Sequence, residues 1–210
     1  MKRKLIVFDC DGVLIEDKSS WEILLKYFGC NDNKYFMELY RKGLISYLDW
    51  MKIDIALMIH SHGKPITKKD VEIALSNIRI RDNIDVVTKK LRDKNYLIAV
   101  ISSGIDIVVR KVCEIINADI CLYNELIFRD DELIPGGIPR VPLMEKPRVI
   151  MDLANSLGID LKDVVYVGDS EWDIEVFKIV GTSIAIEPCS RACKYATYVV
   201  KDLREIASLV

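Results

Sequence analysis

Residues 5–13 read Leu5-Ile6-Val7-Phe8-Asp9-Cys10-Asp11-Gly12-Val13, an apolar run that stops at two acids spaced two residues apart. An uninterrupted apolar run of this length is typical of a strand that is buried on both faces of a parallel sheet. Ligands of such sheets bind beyond the carboxyl ends of the strands, where Asp9 and Asp11 would lie. Two carboxylates this close repel each other, so the pair implies a cation, a shared proton or both. Gly12 lets the backbone approach a ligand closely.

The composition favours a small-molecule partner. The chain of 210 residues is long enough for one good-sized core, or for a main domain that carries a smaller insertion. Charged residues make up 30% of it and sum to a net charge of −2, so we expect neither nucleic acid nor a membrane as partner. No apolar run reaches the roughly 18 residues of a membrane span, and residues 1–4 lead directly into a strand. We therefore expect a cytoplasmic protein, either a monomer or a homodimer.

The six cysteines show neither the spacing of a disulfide framework nor paired CxxC units. Several lie inside apolar runs, so most are predicted to be reduced thiols in the core. Cys189 and Cys193 can meet on one helical turn, but no second pair of metal ligands lies nearby in the sequence.

A series of helices follows the first strand. Helix-start patterns of the form Ser/Thr-x-x-Asp/Glu begin at Ser19, Ser46 and Thr67, and no strand pattern separates these helices. Since the rest of the chain alternates strand and helix, we predict an all-helical domain inserted at residues 15–80. Residues 1–14 and 81–210 would then form the α/β core.

A second strand, predicted at residues 96–101, leads into Ser102-Ser103-Gly104, and a helix is predicted from residue 105. The N–H groups around Ser103 and Gly104 at such a helix start would bind an anion beside the Ser102 hydroxyl. Alternatively, Ser102 only caps the helix.

The remaining chain again places charged residues at the start of a helix and at the end of a strand. Residues 135–142 are predicted as a loop because they hold three prolines, and Lys146 follows where a helix begins. A further apolar strand at residues 164–167 stops at Gly168, ahead of Asp169 and Asp173. The whole pattern predicts five or six mostly parallel strands with helices on both faces, a Rossmann-like α/β fold.

These strand and helix ends place acids, a hydroxyl group and a lysine at one edge of one sheet. That combination fits phosphoryl transfer. A hard cation would neutralise the phosphate, and Ser102 with its neighbouring amides and Lys146 would hold the non-bridging oxygens. One carboxylate would attack phosphorus while another handles the proton.

The chain resembles the haloacid dehalogenase-like hydrolase superfamily in four ordered motifs that span nearly its whole length. They are Asp9-Cys10-Asp11-Gly12-Val13-Leu14, Ile101-Ser102-Ser103-Gly104, Lys146-Pro147 and Gly168-Asp169-Ser170-Glu171-Trp172-Asp173. The helical insertion resembles that superfamily's C1 cap. Within the superfamily, the chain most resembles the phosphoserine phosphatases.

The resemblance implies a Mg²⁺-dependent phosphomonoester hydrolase that acts on a small phosphorylated metabolite through an aspartyl-phosphate. Asp9 would be the nucleophile, and Asp11 the general acid for the leaving alcohol and later the base that activates water. Asp9, the backbone carbonyl of Asp11, and Asp169 would hold Mg²⁺, and Asp173 would support Lys146 or a metal-bound water. The phosphate would be bound by Gly12, Ser102, Ser103, Gly104 and Lys146.

The chain departs from the phosphoserine phosphatases where the organic part of the substrate would bind. Lys18 stands where those enzymes have a cap glutamate, Lys52 matches their cap arginine, and Trp172 replaces an asparagine of the last motif. These three residues are candidate specificity residues. We hypothesise a substrate that is more anionic or less amine-like than L-phosphoserine.

Two other functions use the same residues. A phosphotransferase or phosphomutase would pass the phosphoryl group from the same intermediate to a second substrate, and a catalytically silent protein would only bind a phosphate ligand. A silent binder has no need of Asp11, Lys146 and Asp169 together, so the sequence favours the hydrolase.

Overall fold

The computed structural model describes residues 4–30 and 33–210. Residues 1–3, the start of the predicted core, and residues 31–32, within the predicted insertion, lie outside the described residues. The strands are β1 Lys4–Phe8, β2 Tyr96–Ile105, β3 Ile120–Arg129, β4 Glu132–Pro139, β5 Val164–Gly168, β6 Thr182–Ile186 and β7 Tyr198–Val200. They form one sheet in the order β4-β3-β2-β1-β5-β6-β7, in which every neighbouring pair is parallel except β3 and β4. The predicted Rossmann-like α/β class is confirmed, with seven strands where five or six were predicted.

The α-helices of the described residues occur in two groups, four consecutive helices after β1 and the rest between strands or at the end. They are α1 Ser20–Tyr27, α2 Lys34–Arg41, α3 Tyr47–His62, α4 Lys68–Leu75, α5 Ile84–Asp93, α6 Asp106–Ile115, α7 Lys146–Ser156, α8 Ile174–Phe177 and α9 Ile206–Leu209. None of these helices is long and apolar enough to cross a lipid bilayer.

Strand β1 is buried on both faces, as its apolar run predicts. Ile6 and Phe8 pack into the core on the side of α5 and α6, and Leu5 and Val7 pack into the core on the side of α7 and α8. The alternation follows from the two-residue period of a strand. The sheet therefore has helices on both faces.

The order of the strands fixes where a ligand site can lie. From β1 the chain proceeds through β2 and β3 to one edge, and then returns to β5 on the other side of β1. Ligands of open α/β sheets bind at such a reversal, outside the carboxyl ends of the strands. The expected position is the end of β1, which Asp9 follows.

The four helices α1 to α4 lie above this end of the sheet. The chain enters and leaves this segment side by side, because Ile15 and Ile80 form a β-bridge. Helix α3 packs against β4, and Thr67 bridges Glu132. The capping boxes predicted at Ser46 and Thr67 are both present, and Ser19 caps α1 by accepting the Glu22 N–H at 3.2 Å.

One local prediction is wrong, and so is the alternative that Ser102 caps a helix. Residues 135–139, predicted as a loop, belong to strand β4. This strand is at the edge of the sheet, where a proline can lack its N–H without breaking the ladder. Ser102 and Gly104 lie in β2, and helix α6 begins only at Asp106, so Ser102 does not cap a helix.

The prediction for the cysteines is also wrong, because four of the six are paired in disulfides. Cys113 in α6 bonds Cys121 in β3, since the short turn between helix and strand brings their Cα atoms to 6.4 Å. Cys189 bonds Cys193 across one turn of chain, with the Cα atoms 5.2 Å apart.

Candidate active site

The candidate site lies where three neighbouring strands end. Asp9 follows β1, Ser102 lies in the last part of β2, Asp169 follows β5, and Lys146 is the first residue of α7. These residues share one cavity of about 240 Å³, and residues of α1 and α3 complete its wall. The structure thus brings together residues that are far apart in the sequence.

Lys146 joins two carboxylates at the bottom of the cavity. Its ammonium donates to Asp9 Oδ2 at 2.7 Å and to Asp173 Oδ1 at 2.9 Å, and its side chain is only 1% exposed. Burial alone would lower the pKa of Lys146, but the charges of Asp173 and Asp9 outweigh it and raise the pKa. Burial raises the pKa of Asp9, and Lys146 and the Cys10 N–H, 2.7 Å from Oδ1, oppose that rise.

Asp173 is fully hydrogen-bonded. Besides Lys146, Oδ1 accepts the Tyr166 hydroxyl at 2.6 Å. Oδ2 accepts the Asp169 N–H at 3.1 Å, and the N–H and hydroxyl of Ser170, each at 3.0 Å. A carboxylate offers about four lone-pair sites, so these donors leave no site on Asp173 for another ligand. Burial opposes its ionisation, but Lys146 and Tyr166 outweigh burial and hold the pKa of Asp173 below its usual value.

Asp169 has a cation on its open side. The Lys18 ammonium forms an ion pair with Asp169 Oδ2 and donates to the Pro188 carbonyl at 2.6 Å. Burial and the charge of Asp9 raise the pKa of Asp169 to about 7, although Lys18 opposes the rise. Behind it lies Gly12, with φ of 74°, where an added Cβ would come within 2.2 Å of Asp169 Oδ2. Any other residue at position 12 would place its Cβ against the Asp169 carboxylate and would have to adopt a positive φ.

Asp11 contacts the first residue of helix α1, Ser20. Its Oδ2 accepts the Ser20 N–H at 2.7 Å and the Ser20 hydroxyl at 2.8 Å. The Ser20 hydroxyl accepts the Ile105 N–H at 3.1 Å, which turns its own proton toward Asp11. The buried Oδ1 makes no hydrogen bond to any described residue. Burial raises the pKa of Asp11 to about 6, with Ser20 opposing it, so the carboxyl can hold a proton near neutral pH.

The peptide bond between Ser103 and Gly104 is held in one orientation by three side chains. Its carbonyl accepts the indole N–H of Trp21 at 3.2 Å, the Tyr47 hydroxyl at 3.2 Å and the Asn124 amide at 3.0 Å. Because C=O and N–H point in opposite directions in a trans peptide, the Gly104 N–H points the other way, toward Ser102 Oγ at 3.1 Å. Contacts from α1 and α3 thus orient an amide at the Ser102 hydroxyl.

Two groups near the predicted phosphate site are already hydrogen-bonded within the chain. The Gly12 N–H donates to the Asp17 carbonyl at 2.7 Å, and the Ser103 hydroxyl donates to the Val141 carbonyl at 2.7 Å. Of the residues predicted to bind phosphate, Ser102, Ser103, Gly104 and Lys146 line the cavity.

The structure brings two of the three candidate specificity residues to the cavity. Lys18 and Trp172 line it, and the guanidinium of Arg41 stacks 4.5 Å from the Trp172 ring. Lys52 is not among the lining residues; it is half exposed on α3, with its ammonium 4.0 Å from Asp49. Lys52 thus lies on the side of α3 that faces away from the cavity, and its part in specificity stays a prediction.

Sequence reasoning gave no individual role to several residues in or near the cavity, among them Ser20, Tyr47, Asn124 and Asp54. Asp54 alone had a signal in the sequence, because it interrupts the apolar face that Met51, Ile55 and Met58 form on α3. The other three act through tertiary contacts that no local pattern shows.

The donors suit a hard divalent cation. Carboxylate oxygens of Asp9, Asp169 and Asp173 all lie within 4.8 Å of one another. Since the oxygens of Asp173 are already saturated, Asp9 and Asp169 are the carboxylates that can hold the ion. Oxygen ligands of this kind are those that Mg²⁺ prefers.

Comparison with known proteins agrees with this geometry. The fold and the site define a hydrolase of the α/β class with acidic residues at the ends of its central strands. The family described as haloacid dehalogenase-like hydrolase matches residues 3–181, and the chain belongs to this family.

Individual relatives are phosphoserine phosphatases. The chain is 29% identical to the phosphoserine phosphatase of Methanocaldococcus jannaschii, over 100% of this chain and 98% of that protein. It is 28% identical to that of Archaeoglobus fulgidus, over 88% of this chain and 52% of the relative. A solved structure of a phospho-aspartyl intermediate analogue of phosphoserine phosphatase superposes with a TM-score of 0.82 at 27% identity and covers 100% of both chains. A substrate-bound phosphoserine phosphatase complex gives the same TM-score and identity, over 100% of this chain and 99% of that one.

Proposed function

We propose that the protein is a Mg²⁺-dependent phosphatase that hydrolyses a small phosphomonoester through an aspartyl-phosphate. The observation that carries the proposal is the division of labour between two neighbouring acids. Asp9 is bound by the Lys146 ammonium at 2.7 Å, whereas Asp11 has a pKa raised to about 6 and an unpaired oxygen. One is kept as a nucleophile and the other as a proton donor.

In the first step, a carboxylate oxygen of Asp9 forms a bond to phosphorus, and the bond from phosphorus to the ester oxygen breaks. The electron pair stays on the leaving oxygen, which takes the proton of Asp11. Ser20 holds Asp11 through Oδ2, which leaves Oδ1 for the substrate.

In the second step, a water oxygen forms a bond to phosphorus and gives its proton to the Asp11 carboxylate. The bond from phosphorus to Asp9 breaks, so inorganic phosphate leaves and both acids return to their starting states. Lys146, the Ser102 hydroxyl and the Gly104 amide support the non-bridging oxygens in both steps. Asp9 and Asp169, with the Asp11 carbonyl, would hold Mg²⁺, which when bound neutralises phosphate charge and orients it for attack.

In this proposal residues 15–80 act as a cap that excludes bulk water, and residues 1–14 and 81–210 form the catalytic core. Two observations support a cap that closes on the core. Arg41 of α2 forms an ion pair with Glu171, and the Tyr40 hydroxyl accepts the Met144 N–H at 2.9 Å. A cytoplasmic monomer or homodimer remains part of the proposal, although two disulfides are unusual in the cytosol outside hyperthermophilic organisms.

The test is phosphate release from a panel of small phosphomonoesters that includes phosphoserine, with Mg²⁺ and with a chelator. We expect release that needs the metal and falls about 10⁴-fold or more in Asp9→Asn. Asp152→Asn, an exposed aspartate on α7, is the matched control. A folded wild type that releases no phosphate from any ester with Mg²⁺ contradicts the proposal, and transfer to a second substrate without net release supports a phosphotransferase instead.

A further inference from the structure

Asp54 is an unexplained acid in the wall of the cavity. It lies on α3, is only 3% exposed and lines the same cavity as Asp9 and Asp11. Its Oδ2 accepts the Asn33 amide at 3.0 Å, and its buried Oδ1 makes no hydrogen bond to any residue in the described ranges. A buried carboxylate oxygen without a partner destabilises the fold unless a ligand supplies a donor.

The surroundings of Asp54 raise the cost of its charge. Burial raises the pKa of Asp54 to about 7, although the Asn33 amide and the Trp50 indole oppose the rise. No described ion pair includes Asp54. A cation that enters the cavity would therefore give Asp54 the ionic partner that the described residues do not supply.

The other charges of the cavity make the choice of ligand specific. Among the described lining residues the cations are Lys146 and Lys18, and both are already paired with carboxylates. Glu22, an exposed residue of α1, adds a second acid to the wall that the helices form. A substrate carboxylate would find no unpaired cation in this wall, whereas an ammonium group would find a carboxylate.

Aromatic rings complete the wall around Asp54. Trp50 lines the cavity one helical turn before Asp54, and Tyr47 lines it two turns before; their ring centroids are 5.8 Å apart and the rings are nearly perpendicular. Aromatic faces attract ammonium groups. Tyr47, Asp54 and Asp11 all line this one cavity. A molecule beside Tyr47 can therefore reach the reacting centre and Asp54 together.

We propose that Asp54 is a specificity residue that binds the ammonium group of the substrate, and that the substrate is the phosphate ester of a small amino alcohol without a carboxylate. The proposal rests on the phosphatase function given above and names its substrate class. It replaces the expectation of a less amine-like ester, which rested on Lys18, because the Lys18 ammonium is bound to Asp169.

The experiment compares three esters of matched length: an aminoalkyl phosphate, an alkyl phosphate with a methyl group in place of the ammonium, and phosphoserine. Steady-state phosphate release is measured for the wild type, Asp54→Asn and the control Asp152→Asn, an exposed aspartate outside the cavity. We expect the wild type to prefer the aminoalkyl ester over the alkyl ester by about 10- to 100-fold in kcat/KM, mainly through KM. Asp54→Asn should lose this preference and leave the alkyl ester within about threefold, whereas Asp152→Asn should keep it.

A second measurement does not need turnover. Calorimetric binding of an aminoalkyl phosphonate and of its alkyl counterpart should show the same preference in the wild type and its loss in Asp54→Asn.

Equal binding of the two phosphonates by the wild type, or a preference that persists in Asp54→Asn, overturns the role of Asp54. A wild-type preference for phosphoserine over the aminoalkyl ester overturns the substrate class. Absence of release from all three esters contradicts the phosphatase function instead, and the phosphonate preference then still decides the role of Asp54. If Asp54→Asn does not fold, the comparison of ligands on the wild type alone is decisive.

Discussion

The two halves of the cavity differ in how completely their polar groups are satisfied. In the half formed by the strands, Asp173 holds Lys146, Tyr166 and Ser170 in one network, and each of its oxygens has partners. In the half formed by the helices, Asp54 Oδ1 has no partner among the described residues. The reaction needs groups whose positions do not change, and recognition needs a group that the ligand completes.

The largest effect is expected where the network is complete. Asp173→Ala leaves the Asp169 and Ser170 N–H groups and the Tyr166 hydroxyl without their acceptor and removes one of the two carboxylates on the buried Lys146. We expect the free energy of unfolding to fall by about 3–5 kcal/mol and phosphate release to fall by about 10- to 100-fold. Urea unfolding and a phosphate assay measure the two effects.

The control for this change is Asp152→Ala, which removes an exposed acid from α7 and should alter neither quantity. A loss of less than about 1 kcal/mol in Asp173→Ala would mean that the strand half is no more fixed than the helix half.

The second prediction tests the unsatisfied half through stability. Asp54 has a folded-state pKa of about 7, above the unfolded value of about 3.9. Below about pH 4 the acid is protonated in both states, and above about pH 7 its ionisation is unfavourable only in the folded state. Relative to Asp54→Asn, the wild type should therefore lose about 2–4 kcal/mol of stability as the pH rises from 4 to 8. Urea unfolding of both proteins across this range measures the difference.

Asp93→Asn, at the exposed end of α5, should keep the pH dependence of the wild type. If Asp54→Asn also keeps it, Asp54 has a partner in the folded state and the contrast between the two halves fails.

The contrast also explains what the sequence predicted. Asp9, Asp11 and Asp169 follow strands, Lys146 begins α7, and Ser102 lies in the last part of β2. The carboxyl ends of parallel strands meet at one edge of the sheet. A local pattern therefore located the strand half. The same pattern does not show that the Gly12 N–H is bound to the Asp17 carbonyl, because this depends on which side of the peptide faces the cavity.

In the helix half, the rotation of a residue about the helix axis decides whether it faces the cavity. An error of two residues in the sequence alignment therefore exchanges a residue that faces the cavity for one that faces solvent. Lys52 and Asp54 are two residues apart on α3, so they point about 200° apart around it. The first faces solvent and the second the cavity. Likewise, Pro135 and Pro139 fit a strand only because β4 is the edge of the sheet, which is a property of the assembled fold.

The third prediction concerns the contact between the two halves. Tyr47→Phe removes one of three donors from the Ser103 carbonyl, which keeps Trp21 and Asn124. Because no buried acceptor is left without a donor, we expect a loss of only about 1 kcal/mol in the free energy of unfolding. Tyr35→Phe, at an exposed tyrosine of α2, is the control and should change little. A loss above about 3 kcal/mol would show that the helices fix the Ser103 peptide as strongly as the strand network fixes Lys146.

The smallest effect is expected at Lys18, where the two halves share a charge. Its ammonium comes from the helical segment and binds Asp169, one of the two carboxylates that can hold Mg²⁺. Since the lysine and the metal ion compete for the same carboxylate, Lys18→Met should bind Mg²⁺ about two- to fivefold more tightly. Calorimetric titration of the substrate-free protein measures this directly, and Lys52→Met, a half-exposed lysine outside the cavity, should bind like the wild type. Weaker binding by Lys18→Met would mean that Lys18 positions Asp169 for the metal ion, and the lysine would then belong to the fixed half of the cavity.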